Sequence, residues 1–171
     1  MTTPAGTRSA EYPCSLIACT DFVLSTLAMT VTNLLDTVLA PLGLKLKTYR
    51  MLRILQDDGP QRQTALGAAL GLDRTTTVMI VDKLEAAGFA KRQRSSWDRR
   101  AYQIAITPKG CRTLAKAIER VSEAEAAMFG TLSPAERRTL QDLATRLLTE
   151  PGTIADEHAR EYATLMERRR A

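Results

Sequence analysis

Leu24, Leu27, Val31, Leu34 and Val38 recur at 3-4-3-4 spacing. That spacing lays one apolar stripe along a helix, and the pattern predicts a helix over 15–39, ended by Ala40-Pro41-Leu42-Gly43. A second helix is expected over 46–56, with Leu46, Tyr49, Leu52 and Leu55 inward, stopped by Asp57-Asp58-Gly59-Pro60. Two short helices follow, 62–70 and 74–87, joined by Gly71-Leu72-Asp73. The Asp73 carboxylate can accept the orphan N–H groups of the second, and Gly88 stands where a helix-ending glycine belongs. The period then drops to two. Residues 89–94 and 101–107 read as strands, and Tyr102, Ile104 and Ile106 alternate with Ala101, Gln103 and Ala105, so the first set is expected inward. Thr107-Pro108 opens a helix over 108–129, with Leu114, Ile118, Val121 and Met128 inward. Ser133-Pro134-Ala135-Glu136 is a capping box for a helix over 134–149 carrying Leu140, Leu143 and Leu147. Pro151-Gly152 ends it, and a polar helix is expected over 153–169. The fold class is mainly α with a small β-hairpin, behind a flexible N-terminus at 1–14.

Composition excludes more than it selects. The chain has 171 residues, 44% hydrophobic and 25% charged, with 24 Lys+Arg against 19 Asp+Glu and a net charge of +5. A sequence pI near 9.4 keeps a polyanion partner in play, while 5% aromatics disfavour a stacking platform for single strands. Cys14, Cys19 and Cys111 make no even framework, and no signal-peptide pattern precedes them, so the expected compartment is the reducing cytoplasm. No apolar run is expected to span a bilayer, because the longest, 22–31, is broken by Ser25, Thr26 and Thr30. His158 is the only histidine. Without a Cys/His pair at ligand spacing no metal or other cofactor is expected. Without a Ser-His-Asp or Cys-His set, or a phosphate-cradling glycine loop, no catalytic residue is assigned and an enzyme is not expected.

The chemistry concentrates between 63 and 107. Leu66 and Leu70 on one short helix, a turn at Gly71, and Val78, Val81 and Leu84 on the next would leave Arg74, Thr75, Thr76 and Thr77 on an exposed front. A packed back and a front of short polar side chains with a base is the build of a DNA-recognition helix. A surface helical hairpin that touches nothing has the same pattern. The hairpin that follows separates the two readings, because Lys91, Arg92, Arg94, Arg99 and Arg100 fall within ten residues. A basic β-tip beside a major-groove helix can reach phosphates and the adjacent minor groove. Asp98 repels DNA, so its expected role is to hold an arginine or cap the turn. Trp97 is expected to pack back on the hairpin.

These residues carry a resemblance. "LGLDRTTTVMIVDKLEAAGFAKRQ" followed by "DRRAYQIAITPKG" resembles the winged helix-turn-helix domain of the MarR (multiple antibiotic resistance regulator) family, including its Asp-x-Arg wing element at Asp98 and Arg100. "LAPLGLKLKTYRMLRIL" (39–55) resembles the segment joining that family's first two helices, and the likeness covers roughly 15–150. It implies a dimerisation helix at 15–45, a winged helix-turn-helix domain at 46–110, further dimerisation helices at 111–150, and a helical extension at 151–171 with no role assigned. It implies that Thr75, Thr76 and their neighbours face the major groove, that Arg100 enters the minor groove and that Asp98 orients the wing. Two departures stand out. Val78-Met79 replaces a common Thr-Arg, which leaves the operator open and makes Met79 a candidate DNA-facing residue, and Arg62 stands where a Thr or Ser cap is usual.

The apolar stripes at 15–39, 108–129 and 134–149 leave too little chain in one protomer to cover them, in keeping with the symmetric dimers of the family. Two heads would read half-sites of double-stranded DNA about one turn, ~10 bp, apart. The resemblance further implies a pocket for a small aromatic or phenolic ligand, for which Tyr49 and Arg53 are the candidates. The expected function is a cytoplasmic, homodimeric repressor released from its operator by that ligand. The alternatives are a thiol-based redox sensor using Cys14 or Cys19, as in one branch of the family, and a regulator that activates.

Overall fold

A computed structural model describes residues 12–94 and 102–150. It contains α1 (Cys14–Ile17), α2 (Thr20–Leu39), a 3-10 turn (Ala40–Leu42), α3 (Leu46–Asp57), α4 (Gln63–Ala69), α5 (Arg74–Ala86), β1 (Ala90–Arg94), β2 (Tyr102–Ile106), α6 (Pro108–Met128) and α7 (Pro134–Thr149). The mainly helical class with one antiparallel hairpin matches the expectation. The polar helix expected over 153–169 and the N-terminal residues 1–11 lie outside the described residues.

The single helix expected over 15–39 is two. Cys19 takes an extended conformation (φ −93°, ψ 112°) and its amide donates to the Leu16 carbonyl, closing α1. The apolar stripe begins only at Leu24, so periodicity had no hold on 15–19. Within α2 the fully buried residues are Leu35 and Leu39; Leu27, Val31, Leu34 and Val38 are half-buried and Leu24 is exposed. The stripe is therefore only partly covered by its own protomer.

The expectation that nothing spans a bilayer also needs correcting on length and composition. Thr20–Leu42 is long and apolar enough to cross one, at a mean hydropathy of 1.5. Two of the hydroxyls taken as interruptions turn back onto their own helix, Ser25 donating to the Phe22 carbonyl and Thr30 to Thr26, and so do Thr32 to Ala28 and Thr37 to Asn33. Back-bonded hydroxyls present little polarity.

The core gathers Leu39, Leu44, Met51, Leu52, Leu55, Leu66, Val81, Leu84, Ile104 and Leu114 between α2, α3, α4, α5, β2 and α6. Asp36 Oδ1 accepts from the Leu46 amide at 2.6 Å and so pins the start of α3 to the end of α2. The hairpin pairs Ala90 with Ile106 and Arg94 with Tyr102. Gln61, in the α3–α4 linker, adds a one-residue third strand: its amide donates to Ile104 O at 3.0 Å and its carbonyl accepts from Ile104 N at 2.8 Å.

Three caps fall where the residue types placed them. Asp73 accepts from the Thr76 amide, Thr107 from the Gly110 amide with Pro108 following, and Ser133 from the Glu136 amide in a full capping box. Arg62 offers α4 no side-chain cap. Inward faces differ in detail. Tyr102 is exposed and Ala105 buried, and in α6 Ala117 and Ala124 are buried while Ile118 is exposed. Alanines let α6 approach α2 closely, a packing role that an apolar count overlooks. No residue of α7 is buried, and Leu140, Leu143, Leu147 and Leu148 are all exposed.

Candidate nucleic-acid interface

Gly71 at φ +60° makes the turn between α4 and α5, a left-handed conformation that favours glycine. The Leu72 amide closes the turn onto the Gly67 carbonyl at 2.9 Å. Asp73 then caps α5 twice, accepting from the Thr76 amide at 2.8 Å and from its hydroxyl at 2.5 Å. The Thr76 hydroxyl and amide hold the Asp73 carboxyl below its ordinary pKa.

The exposed front is narrower than expected. Thr77 is 2% exposed, its hydroxyl donates to the Asp73 carbonyl at 2.8 Å, and it faces α4. A Cβ on Gly67 would lie 2.7 Å from Thr77 Oγ1, so these two residues form the crossing point of the two helices. The buried back of α5 is Thr77, Ile80, Val81 and Leu84, and Val78 is only half-buried. At 100° per residue, an inward Val81 and Leu84 bring 77 and 80 inward with them. Thr77 is thus corrected from a DNA-facing residue to a packing residue, while Arg74, Thr75 and Met79 stay exposed.

The wing also sorts differently. Lys91 is exposed. The Arg92 amide donates to Glu85 Oε1 at 2.6 Å, and its guanidinium pairs with Glu85, with Asp82 at 2.7 Å and with Gln63 Oε1 at 3.4 Å. Arg92, expected on phosphate, instead ties β1 to α5 and to the start of α4. Asp82 and Glu85 fix its charge in place and raise its pKa. Arg94 lies 5.8 Å over the ring of Tyr102, which accounts for that tyrosine facing outward. Trp97, Asp98, Arg99 and Arg100 lie outside the described residues.

Behind the reading head, Tyr49, Arg50 and Arg53 of α3 line a cleft of about 220 Å³ with Leu35 of α2 and Ile118 and Glu125 of α6. Arg53 donates to the Tyr49 hydroxyl at 3.4 Å and pairs with Asp57 at 3.5 Å. The expected pair is therefore brought together on one cleft. Arg50 was missed, although its place one residue after Tyr49 and three before Arg53 was a signal. Cys14 and Cys19 are exposed, and Cys19 Sγ donates to the Ser15 carbonyl at 3.3 Å.

The MarR family model matches residues 44–102, which span α3, the helix-turn-helix and the start of β2. The uncharacterized HTH-type transcriptional regulator YpoP of Bacillus subtilis is 30% identical over 99 residues, 58% of this chain and 70% of the relative. The chain belongs to the MarR family. A Thauera aromatica protein named for transcriptional regulation of the hcr operon is 36% identical over 99 residues, 58% of this MarR-family chain. The chain spans 60% of that relative's length, less than two thirds. CouR of Rhodococcus jostii RHA1, solved bound to p-coumaroyl-CoA, superposes at a TM-score of 0.73 with 27% identity, covering 81% of this chain and 97% of CouR. A second CouR structure, a transcriptional repressor on a 23-mer DNA duplex, superposes at 0.74 with 26% identity, covering 81% of this chain and 99% of that one. The curated relatives are transcriptional regulators rather than enzymes.

Proposed function

We propose that the chain is a cytoplasmic, homodimeric repressor that binds a pseudo-palindromic double-stranded operator and is released by a small aromatic or phenolic anion. The observation that carries the DNA reading is the exposed front of α5, Arg74, Thr75 and Met79, held rigidly beside a basic wing by Arg92. Two such heads are expected to seat in successive major grooves. In the dimer, 15–45 and 111–150 supply the joint and 46–110 the reading head. The half-covered α2, the exposed leucines of α7 and an open cleft of about 460 Å³ between α6 and α7 are the faces a second copy would cover. For the ligand, the cleft joins two arginines and a tyrosine hydroxyl to Leu35 and Ile118, with the Glu125 carboxylate also on its wall, and the arginines outnumber that one acid in favour of an aromatic anion. The cleft touches α2, α3 and α6, so an occupant that prefers one spacing of the heads would shift the population away from the DNA-fitting one.

The test is fluorescence anisotropy on a duplex selected by the purified protein. The logarithm of affinity should fall linearly with the logarithm of salt, with a slope near −0.9 per phosphate contact, and micromolar phenolic acid or its CoA thioester should weaken binding. A flat salt response removes DNA as the partner, and indifference to every aromatic acid removes the ligand. The wing gives a second, sharper expectation. Arg100→Ala should cost ~1–3 kcal/mol in binding, and Lys91→Ala should reduce the salt slope by about one. Arg92→Ala should weaken binding with the slope unchanged, because its charge is spent on Asp82 and Glu85. A slope that falls with Arg92→Ala would return that residue to the phosphate contacts.

A further inference from the structure

We infer that α5 selects thymine in the major groove, and that Met79 is the residue that does so by contact with the 5-methyl group. This rests on α5 being the DNA-reading helix and goes beyond it by naming the base. Of the three consecutive threonines, Thr76 spends its hydroxyl on the Asp73 carboxylate and Thr77 is buried with its hydroxyl on the Asp73 carbonyl. The front that remains is Arg74, Thr75 and Met79, and Met79 lies one turn beyond Thr75 on the same face.

Met79 is 51% exposed and is the one exposed large hydrophobic side chain of α5. Its surroundings on the helix are polar: Thr75 behind it, Asp82 and Lys83 ahead. Like charge near Met79 would keep DNA away, but the two carboxylates on this part of α5, Asp82 and Glu85, are both engaged by Arg92. The Asp73 carboxylate is likewise engaged, at the cap. An apolar tip therefore stands on a helix whose nearest acids, Asp82 and Glu85, share the Arg92 guanidinium.

A thioether has no donor and is at most a weak acceptor. It cannot read guanine N7 and O6 or adenine N7, which need a donor, and it is a poor partner for the amino groups of adenine and cytosine. The one apolar group that an unmodified base pair presents in the major groove is the thymine methyl. Met is unbranched and adaptable, so it can close over that methyl without a fixed rotamer.

The experiment uses the full chain and a duplex recovered from a random-sequence double-stranded library, resynthesised with each thymine replaced in turn by deoxyuridine. That replacement removes one methyl and leaves the hydrogen-bonding edge intact. At one thymine per half-site the wild type should bind about fourfold more weakly, the loss of one buried methyl. Met79→Ala, whose side chain is exposed and whose replacement is a strong helix former, should bind the parent duplex about sixteenfold more weakly, because both copies lose the contact, and should not respond to that deoxyuridine. Met79→Arg should shift the selected base at that position to guanine. The inference is overturned if no deoxyuridine weakens wild-type binding, or if Met79→Ala loses as much as the wild type at the same thymine. If the library yields no bound duplex, the DNA reading itself falls and the thymine assignment with it; a bound but methyl-insensitive duplex overturns the thymine assignment alone.

Discussion

Replacing Gly110 by alanine is expected to lower folding stability by about 1–3 kcal/mol. Gly110 sits in the first turn of α6, under the base of the wing. A Cβ there would lie 2.1 Å from the Phe89 carbonyl oxygen and 2.8 Å from Ile106 Cγ1. The obstacle is backbone, and that backbone is held in place. The Phe89 carbonyl accepts from the Thr107 amide at 3.0 Å, the Thr107 hydroxyl donates to the Gly88 carbonyl at 2.7 Å, and Lys109 Nζ donates to the Ala87 carbonyl at 2.7 Å. Alanine improves helix propensity by up to about 1 kcal/mol. Against that stand an overpacking cost of roughly 1–3 kcal/mol and the loss or stretching of at least one buried hydrogen bond, worth about 1 kcal/mol more. The steric side wins. Urea denaturation should show the midpoint falling by about 1 M, whereas an unchanged midpoint would mean the wing base yields without cost.

The second large effect concerns assembly. Leu143 and Leu147 lie one turn apart on α7 and are 51% and 61% exposed in the protomer. If a second copy covers them, Leu143→Glu with Leu147→Glu strips four leucines from a symmetric interface. At about 1.5 kcal/mol each, at the low end for burying a leucine, that is ~6 kcal/mol, more than four orders of magnitude in dimer affinity. The doubly substituted chain should sediment as a monomer at micromolar concentration, with its helical content retained because neither side chain is in the protomer core. Operator binding should drop by about a hundredfold or more, since the second half-site is no longer presented at high effective concentration. A variant that stays dimeric would place the interface elsewhere.

Local chemistry was legible in the chain. Asp73, Thr107 and Ser133 cap their helices because each cap needs only a side-chain oxygen three residues from an orphan amide. The helix-turn-helix and the hairpin were placed to within one or two residues for the same reason. What escaped was settled across distance. Arg92 reads as a surface base in any window of β1, and its partners Asp82 and Glu85 are brought to it by the turn at Gly88, through pairing between a helix and a strand. Thr77 reads as polar, yet its small size suits the close crossing at Gly67, and its hydroxyl is satisfied by the backbone. The break at Cys19 carries neither glycine nor proline. Tyr102 follows the period-two pattern inward, but Arg94 across the hairpin gives it a cation to face. Of the candidate site, α5 and the start of the wing are now placed residue by residue, and the roles of Asp98 and Arg100 rest on the family pattern.

The crossing of Thr77 on Gly67 has a practical side for protein engineering. Packing and capping take Thr76 and Thr77 out of the variable set, so rewriting the helix surface need not disturb the scaffold. Arg74, Thr75 and Met79 form a three-position alphabet that a modest library can sample completely. A reprogrammed head of this kind would keep its melting behaviour while its target sequence changes, and that separation makes a natural regulator usable as a modular switch.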